Sequence, residues 1–237
     1  MPSSRVDSGS VEAANGVYWQ EEAPSVIHPE SDVVDLAFSI TCRCLPLDHA
    51  WALSQAVGAK LPWWEADPLA GLHLIHGAES GNGWHRPETG ESLLYLTRRT
   101  KLVLRLPRAR TDEARSALPG AWEVAGFPLA VGEAVERALY PHPALYARHV
   151  VTDPLAAEAD FLAEAARELR AMAVRFKKML SGKTSTLQTP EGPCTTRSLM
   201  VADLAPEDSM ELARRGIGPL RILGCGLFVP CKTLGVP

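Results

Sequence analysis

No apolar run in the 237-residue chain reaches the about 18 residues that a membrane-spanning helix requires, so no membrane partner is expected. The opening stretch, MPSSRVDSGSVEAANG, has neither a basic start nor an apolar centre and does not read as a secretory signal. Cysteine is scarce. Five residues, an odd number scattered over a long chain, fit reduced thiols in a cytoplasm and not a disulfide framework. What is present is ordinary for a globular protein: 46% hydrophobic and 22% charged residues, in a chain long enough for one large domain or two small ones.

The net charge of −4 at first speaks against a polyanionic partner, but the charge is unevenly spread. Residues 1–35 carry seven Asp/Glu and one Arg. The segment 167–183 (RELRAMAVRFKKMLSGK) carries six basic residues against one acid, and 211–232 adds four against one. A basic face with acid kept elsewhere suits a polyanion, and it equally describes a solvated surface.

Residues 1–32, rich in Ser, Glu, Pro and Gly, read as a loose N-terminal segment. From Val33 the pattern becomes regular. VVDLAFSITCRCL alternates like a strand, and HAWALSQAVGAKL has helical spacing up to Leu61-Pro62. GLHLIHGAES (71–80) reads as a strand, and ESLLYLTRRTKLVLRLP (91–107) as two strands joined at Arg98-Arg99. TDEARSALPG is a short helix, and 121–132 a hairpin about Gly126. That order, β-α-β-β-α-β, is the ferredoxin-like one. Residues 133–143 read as a linker because of Pro141 and Pro143. The order then repeats over 144–237: a strand at 144–153, a long helix at 155–174, strands over 176–204 about a turn at 189–192, a helix at 205–216 and a closing strand, LFVPCK. The expected fold is therefore α+β, with two tandem ferredoxin-like halves, 33–132 and 144–237.

Between the last helix and the last strand lies GIGPLRILGCG (216–226), with glycines at 216, 218, 224 and 226. Glycine permits positive φ and close backbone approach. Successive N–H groups there would cradle phosphate, with Arg214, Arg215 and Arg221 as forks; a helix cap at Gly216 and a bulge at Gly224 would need no ligand. The loop does not end in Gly-Lys-Ser/Thr, so it is no nucleotide P-loop.

DVVDLAFSI, LPLDHAWAL, GLHLIHGAESGNGW, LYLTRRTKLVLRLP, SLMVADLAPEDSMEL and GIGPLRILGCGLFVPCK, in this order, resemble the CRISPR repeat-processing endoribonucleases: the sixth Cas family of the RAMP superfamily, in its myxan-subtype branch. The resemblance spans about residues 33–233 and implies cleavage of precursor CRISPR RNA within its repeats, without metal or other cofactor. In that chemistry the RNA's own 2′-hydroxyl attacks, leaving a 2′,3′-cyclic phosphate and a 5′-hydroxyl. It implies as partners the precursor RNA, the mature guide RNA and other Cas proteins of a type I surveillance complex. A non-catalytic CRISPR-RNA-binding subunit is the alternative.

Such a reaction needs a base, an acid and cations. His49, at the start of the first helix, stands where the family commonly keeps its catalytic histidine; Asp48-His49 as a mere helix cap is the competing reading. His73 and His76 are the other candidates, and on one strand they would face opposite ways. No tyrosine lies near His49 in sequence, which departs from the family's His-Tyr-Lys arrangement. For RNA contact the candidates are Lys101 with Arg98 and Arg99, then Arg175, Lys177, Lys178 and Lys183, then Arg214, Arg215, Gly216, Gly218, Arg221, Gly224 and Gly226. Trp63, Trp64 and Trp84 would either stack on bases or pack in a core.

Overall fold

The computed structural model describes residues 31–76 and 93–231. Trp84, the Gly/Asn loop around it and the acidic stretch before residue 31 lie outside the described residues.

In the N-terminal half, β1 (Val33–Thr41) is the centre of a five-stranded sheet. It pairs antiparallel with β5 (Lys101–Pro107) on one side and β7 (Phe127–Ala138) on the other. β3 (Gly71–His73) flanks β5, and β6 (Gly120–Val124) flanks β7. Leu36, Phe38, Leu102 and Leu104 are fully buried, as the alternation of their strands requires. They form one core with α1 (Ala50–Gly58), which turns Ala50, Leu53 and Val57 inward, and with Trp64. α2 (Thr111–Ala117) starts with Asp112 and Glu113, matching the helix dipole.

The C-terminal half holds β8 (Ala144–Val151), α3 (Glu158–Ala171), β9 (Lys178–Thr189), β10 (Gly192–Ala202), α4 (Pro206–Arg215) and β11 (Val229–Pro230). Its sheet order, β11-β8-β10-β9, is the ferredoxin-like one for a βαββαβ unit. Leu145, Ala147, Val150, Leu199 and Val201 face Phe161, Ala165 and Leu169 of α3 and Leu212 of α4. α4 opens with Pro206, Glu207 and Asp208 and closes with Arg214 and Arg215, so its charges follow its dipole.

Three details differ from the sequence reading. Residues 133–138 are not linker: β7 continues through them and pairs with Val34–Phe38 of β1. Beyond Val131 this strand has left β6 and lies at an edge, where Glu133 and Arg137 are exposed and Glu136 pairs with Arg108 and Arg115, so charge hides the strand signal. β4 (Leu93–Tyr95) does not pair with β5; it forms a separate ribbon with β2 (Cys44–Pro46). That pairing puts Tyr95 opposite Cys44, five residues ahead of His49. The closing strand is only Val229–Pro230.

All five cysteines are free. Among the described residues no helix is long and apolar enough to cross a membrane.

Candidate active site at the seam between the halves

The seam is clamped by Arg105 of β5, a side chain only 1% exposed. Its Nε and Nη2 donate to the two carboxylate oxygens of Asp35, at 2.8 and 2.9 Å. Its Nη1 donates across the seam to the carbonyls of Ala213 (2.8 Å) and Phe228 (2.7 Å). Burial works against the charge on Asp35, but the hydrogen bonds and charges of Arg105 and His73 outweigh it and hold that carboxyl well below the carboxylate range. His73 thus belongs to the clamp: its Nε2 lies 3.2 Å from Asp35 Oδ1.

The 216–226 loop fills the space between β3 and β8. All four glycines have positive φ. Gly226 donates its N–H to the carbonyl of His149 at 2.7 Å, and a Cβ on it would strike the Ile217 carbonyl. A Cβ on Gly224 would press on the Leu74 side chain and stand 3.1 Å from the Leu72 carbonyl. The loop's amides are spent inside the protein: Gly216 on Leu212, Ile217 on Gly226, Gly218 on the Glu168 carboxylate (2.8 Å), Gly224 on Arg221 and Cys225 on Leu220. The arginines are engaged too. Arg214 grips Asp32 with two bonds, Arg215 pairs with Glu211, and Arg221 donates to the carbonyls of Leu69, Arg214 and Arg215. Burial, and after it the charge of Arg105, pushes the Arg221 guanidinium down to about 10. The glycines therefore serve close backbone approach at the seam, where an open row of N–H groups was expected.

His49 directly precedes α1, 3% exposed. Its Nδ1 donates to the Pro46 carbonyl (3.0 Å), so its Nε2 accepts the Ile75 amide proton (3.2 Å). Burial lowers its pKa, against the opposing pull of the Pro46 and Leu47 carbonyls and the Asp48 charge, and the ring is neutral at pH 7. His49 is the N-cap residue of α1, but its side chain makes no capping bond, and the Asp48 carboxylate instead accepts the backbone N–H of Gln188 in β9 at 3.1 Å. The residues leading into α1 are thus bound to both halves.

His76 follows directly on the segment that His49 holds. The strand ends at His73, so the alternation argument for His73 and His76 does not extend to it. His76 is exposed, yet the protein mass around it desolvates the ring. Next in weight come the charge of Arg148, then His149, His49 and His73, and the pKa falls well below the usual histidine value. Four imidazoles and a guanidinium therefore share one field at the seam. Arg148 and His149, both from β8, were missed by the sequence reading. No motif marks them; their sole signal is a β-bulge that pairing alone defines.

Lys177, Lys178 and Lys183 are exposed, with Lys178 near Asp203 (3.2 Å). Arg175 reaches Asp208 at 3.1 Å while its side chain stays 80% exposed. Lys101 is half-buried at the start of β5, and Arg98 and Arg99 are exposed on the preceding turn. Trp64 is core, its Nε1 bonded to Ser54, and Trp63 packs edge-on against it under Arg110. Among the described residues no three His, Cys, Asp or Glu side chains gather as metal ligands. Burial pushes the Cys225 thiol up to about 12, so it is no nucleophile.

A family model described as Cas6 Crispr matches residues 34–233. A CRISPR-associated endonuclease Cas6 from Myxococcus xanthus (strain DK1622) is 30% identical over 197 residues, which cover 83% of this chain and 81% of that protein. Among solved structures, a CRISPR associated protein Cas6 superposes with a TM-score of 0.57 at 10% identity, over 84% of this chain and 100% of that one. A protein described as an RAMP protein binding different RNA substrates gives 0.55 at 12%, over 84% and 98%.

Proposed function

Given that the chain belongs to the Cas6 family of CRISPR-associated proteins, we propose that it is an endoribonuclease that cuts precursor CRISPR RNA within its repeats without a metal ion. The 2′-oxygen attacks the adjacent phosphorus as a base takes its proton. The bond from phosphorus to the 5′-oxygen breaks, and an acid protonates that oxygen. The products carry a 2′,3′-cyclic phosphate and a 5′-hydroxyl. The product then stays bound as guide RNA in a surveillance complex with other Cas proteins.

The observation that carries this reading is the hydrogen bond by which the Ile75 N–H, next to His76, is held by His49, at the seam where the glycine loop bonds the His149 carbonyl. Both candidate imidazoles have lowered pKa values and are neutral near pH 7; His76 is thereby in the form a general base needs, while both ring nitrogens of His49 are engaged within the protein. His76 is exposed to an incoming strand; His49 holds the backbone that carries it. Lys177, Lys178, Lys183 and Arg175 supply phosphate contacts for an RNA hairpin, which proteins hold by shape, phosphate and 2′-hydroxyl contacts. The glycine loop and its arginines shape the seam from behind.

The test is repeat RNA incubated with the protein in EDTA. Cleavage at one position is expected, abolished by a 2′-deoxy nucleotide 5′ of the cut with binding retained. His76→Ala and His49→Ala should each lower the single-turnover rate about 10²- to 10⁴-fold at near-constant affinity. Cutting of the deoxy substrate excludes the 2′-hydroxyl mechanism. Tight binding without cutting leaves the protein a non-catalytic CRISPR-RNA-binding subunit.

A further inference from the structure

β10 runs between β8 and β9, and its register breaks on both sides at one residue. Toward β8, Arg197 pairs with Val150 and Leu199 with Ala147, so Arg148 and His149 together oppose Ser198. Toward β9, Arg197 pairs with Thr184 and Leu199 with Ser181, so Gly182 and Lys183 oppose the same Ser198. Two bulges thus lie at one height of the sheet. A bulge re-aims side chains, and bulges are common beside active sites.

This one has a readable effect. Leu145, Ala147 and Val150 all face the core under α3, which strict alternation from 145 would not allow. The extra residue lets His149 turn to the opposite face, where its Nδ1 lies 2.9 Å from Thr196 Oγ1. That hydroxyl donates to the Ser185 carbonyl, so it accepts from Nδ1–H, and the Nε2 of His149 carries the lone pair. The glycine loop spans the remaining gap: Gly226 is bonded to the bulge at the His149 carbonyl, and Gly224 rests on Leu72 and Leu74, two residues before His76.

We propose that the C-terminal half completes the reaction centre through this bulge: Arg148 is a catalytic residue that holds the scissile phosphate opposite His76, and His149 positions it. Resting on the RNA-cleaving reading above, this adds to it the source of the positive charge. Arg148 meets the non-bridging phosphate oxygens, whose charge grows as the 2′-oxygen bonds to phosphorus. Lys183, two strands away at the same height, lies along the path of the neighbouring phosphates.

The experiment measures single-turnover cleavage and affinity for repeat RNA with wild type, Arg148→Gln and Arg148→Lys. R148Q should lose about 100-fold or more in rate, with affinity changed only a few-fold, and R148K should recover part of the loss. The pH–rate profile supplies a readout that a structural role would not move. Arg148 is a positive neighbour of His76, and His149, His49 and His73 are the others. Its removal should shift the acid limb of the profile to higher pH. An R148Q protein that cuts at the wild-type rate, or loses rate only in proportion to affinity with an unmoved limb, overturns the inference. A wild-type protein that leaves unmodified repeat RNA uncut overturns the parent reading instead.

Discussion

The two halves share a strand order, and both bury polar groups, but the charged and titratable side chains singled out above lie differently in each. The N-terminal half buries them: Arg105, Asp35 and His49 are satisfied within the seam and show little surface. The C-terminal half displays them: Arg175, Lys177, Lys178 and Lys183 point to water. The same contrast appears in their bulges. In both, a serine hydroxyl sits so close to a glycine of the neighbouring strand that a Cβ there would strike it: Ser39 under Gly132, and Ser198 under Gly182. In the N-terminal half the paired residue is Glu133; in the C-terminal half the paired residues are Lys183 and, on the other flank, Arg148 and His149. One backbone device thus carries an acid in one half and cations in the other. Substitutions at the Arg105–Asp35 clamp should therefore move stability, and those at the exposed C-terminal cations should move RNA binding and cleavage.

The largest stability effect should come from Arg105→Met. It leaves Asp35 buried without its main partner and two carbonyls without donors. Breaking such a pair costs about 3–5 kcal/mol. Urea unfolding reads the loss directly, and a midpoint near wild type would show that the clamp is dispensable. Next is Gly226→Ala, at φ +66° against the Ile217 carbonyl. Strain at such a position is about 1–3 kcal/mol. It should also loosen the His149 contact and slow cleavage, whereas Gly218→Ala, with nothing within 4 Å of its Cβ site, should disturb the packing less.

A pH series sharpens the contrast further. His49 has a folded pKa below its unfolded value of about 6.5. The folded state thus takes up its proton less readily than the unfolded chain. Stability from this site is whole above about pH 6.5 and is lost as pH falls below it. Unfolding midpoints at pH 7.5 and 5.5 should differ in that direction, and by less in His49→Gln. Asp35 has the depressed carboxylate case: its contribution is present above about pH 3.9 and is lost only in stronger acid.

Much of the fold was legible because hydrophobic period and turn residues agree with the structure. The helix start at Ala50, the hairpin about Gly126 and the turn between Thr189 and Gly192 all follow from local chemistry. What was illegible depended on pairing. The tail of β7 is polar because it is an edge, so its sequence mimics a linker. Tyr95 comes opposite Cys44, five residues before His49, only through the β2–β4 ribbon, a pairing no local pattern announces. Around the candidate site, the phosphate cradle read into the glycine loop is replaced by bonds within the protein. The place of His49 at the head of α1 and the positive φ of the glycines were visible by type. Arg148 and His149 were not, because a bulge is a count of residues across two strands. The flanking arginines show the opposite failure: their charge was plain, but their carbonyl and carboxylate partners were not.

The smallest effect tests the exposed side of the comparison. Lys177→Gln and Lys183→Gln remove surface cations that support no core packing, so the unfolding midpoint should stay within about 0.5 kcal/mol of wild type. Each should instead weaken RNA binding a few-fold and lower the slope of log affinity against log salt by about 1, because each lost phosphate contact leaves about one counterion unreleased. Lys183 also shares its bulge height with Arg148, so its loss should slow cleavage more than the loss of Lys177 does at saturating protein. Equal effects on rate would place the cut strand elsewhere than across the bulge. A changed midpoint with an unchanged salt slope would mean that the C-terminal half, too, keeps its charge for its own fold.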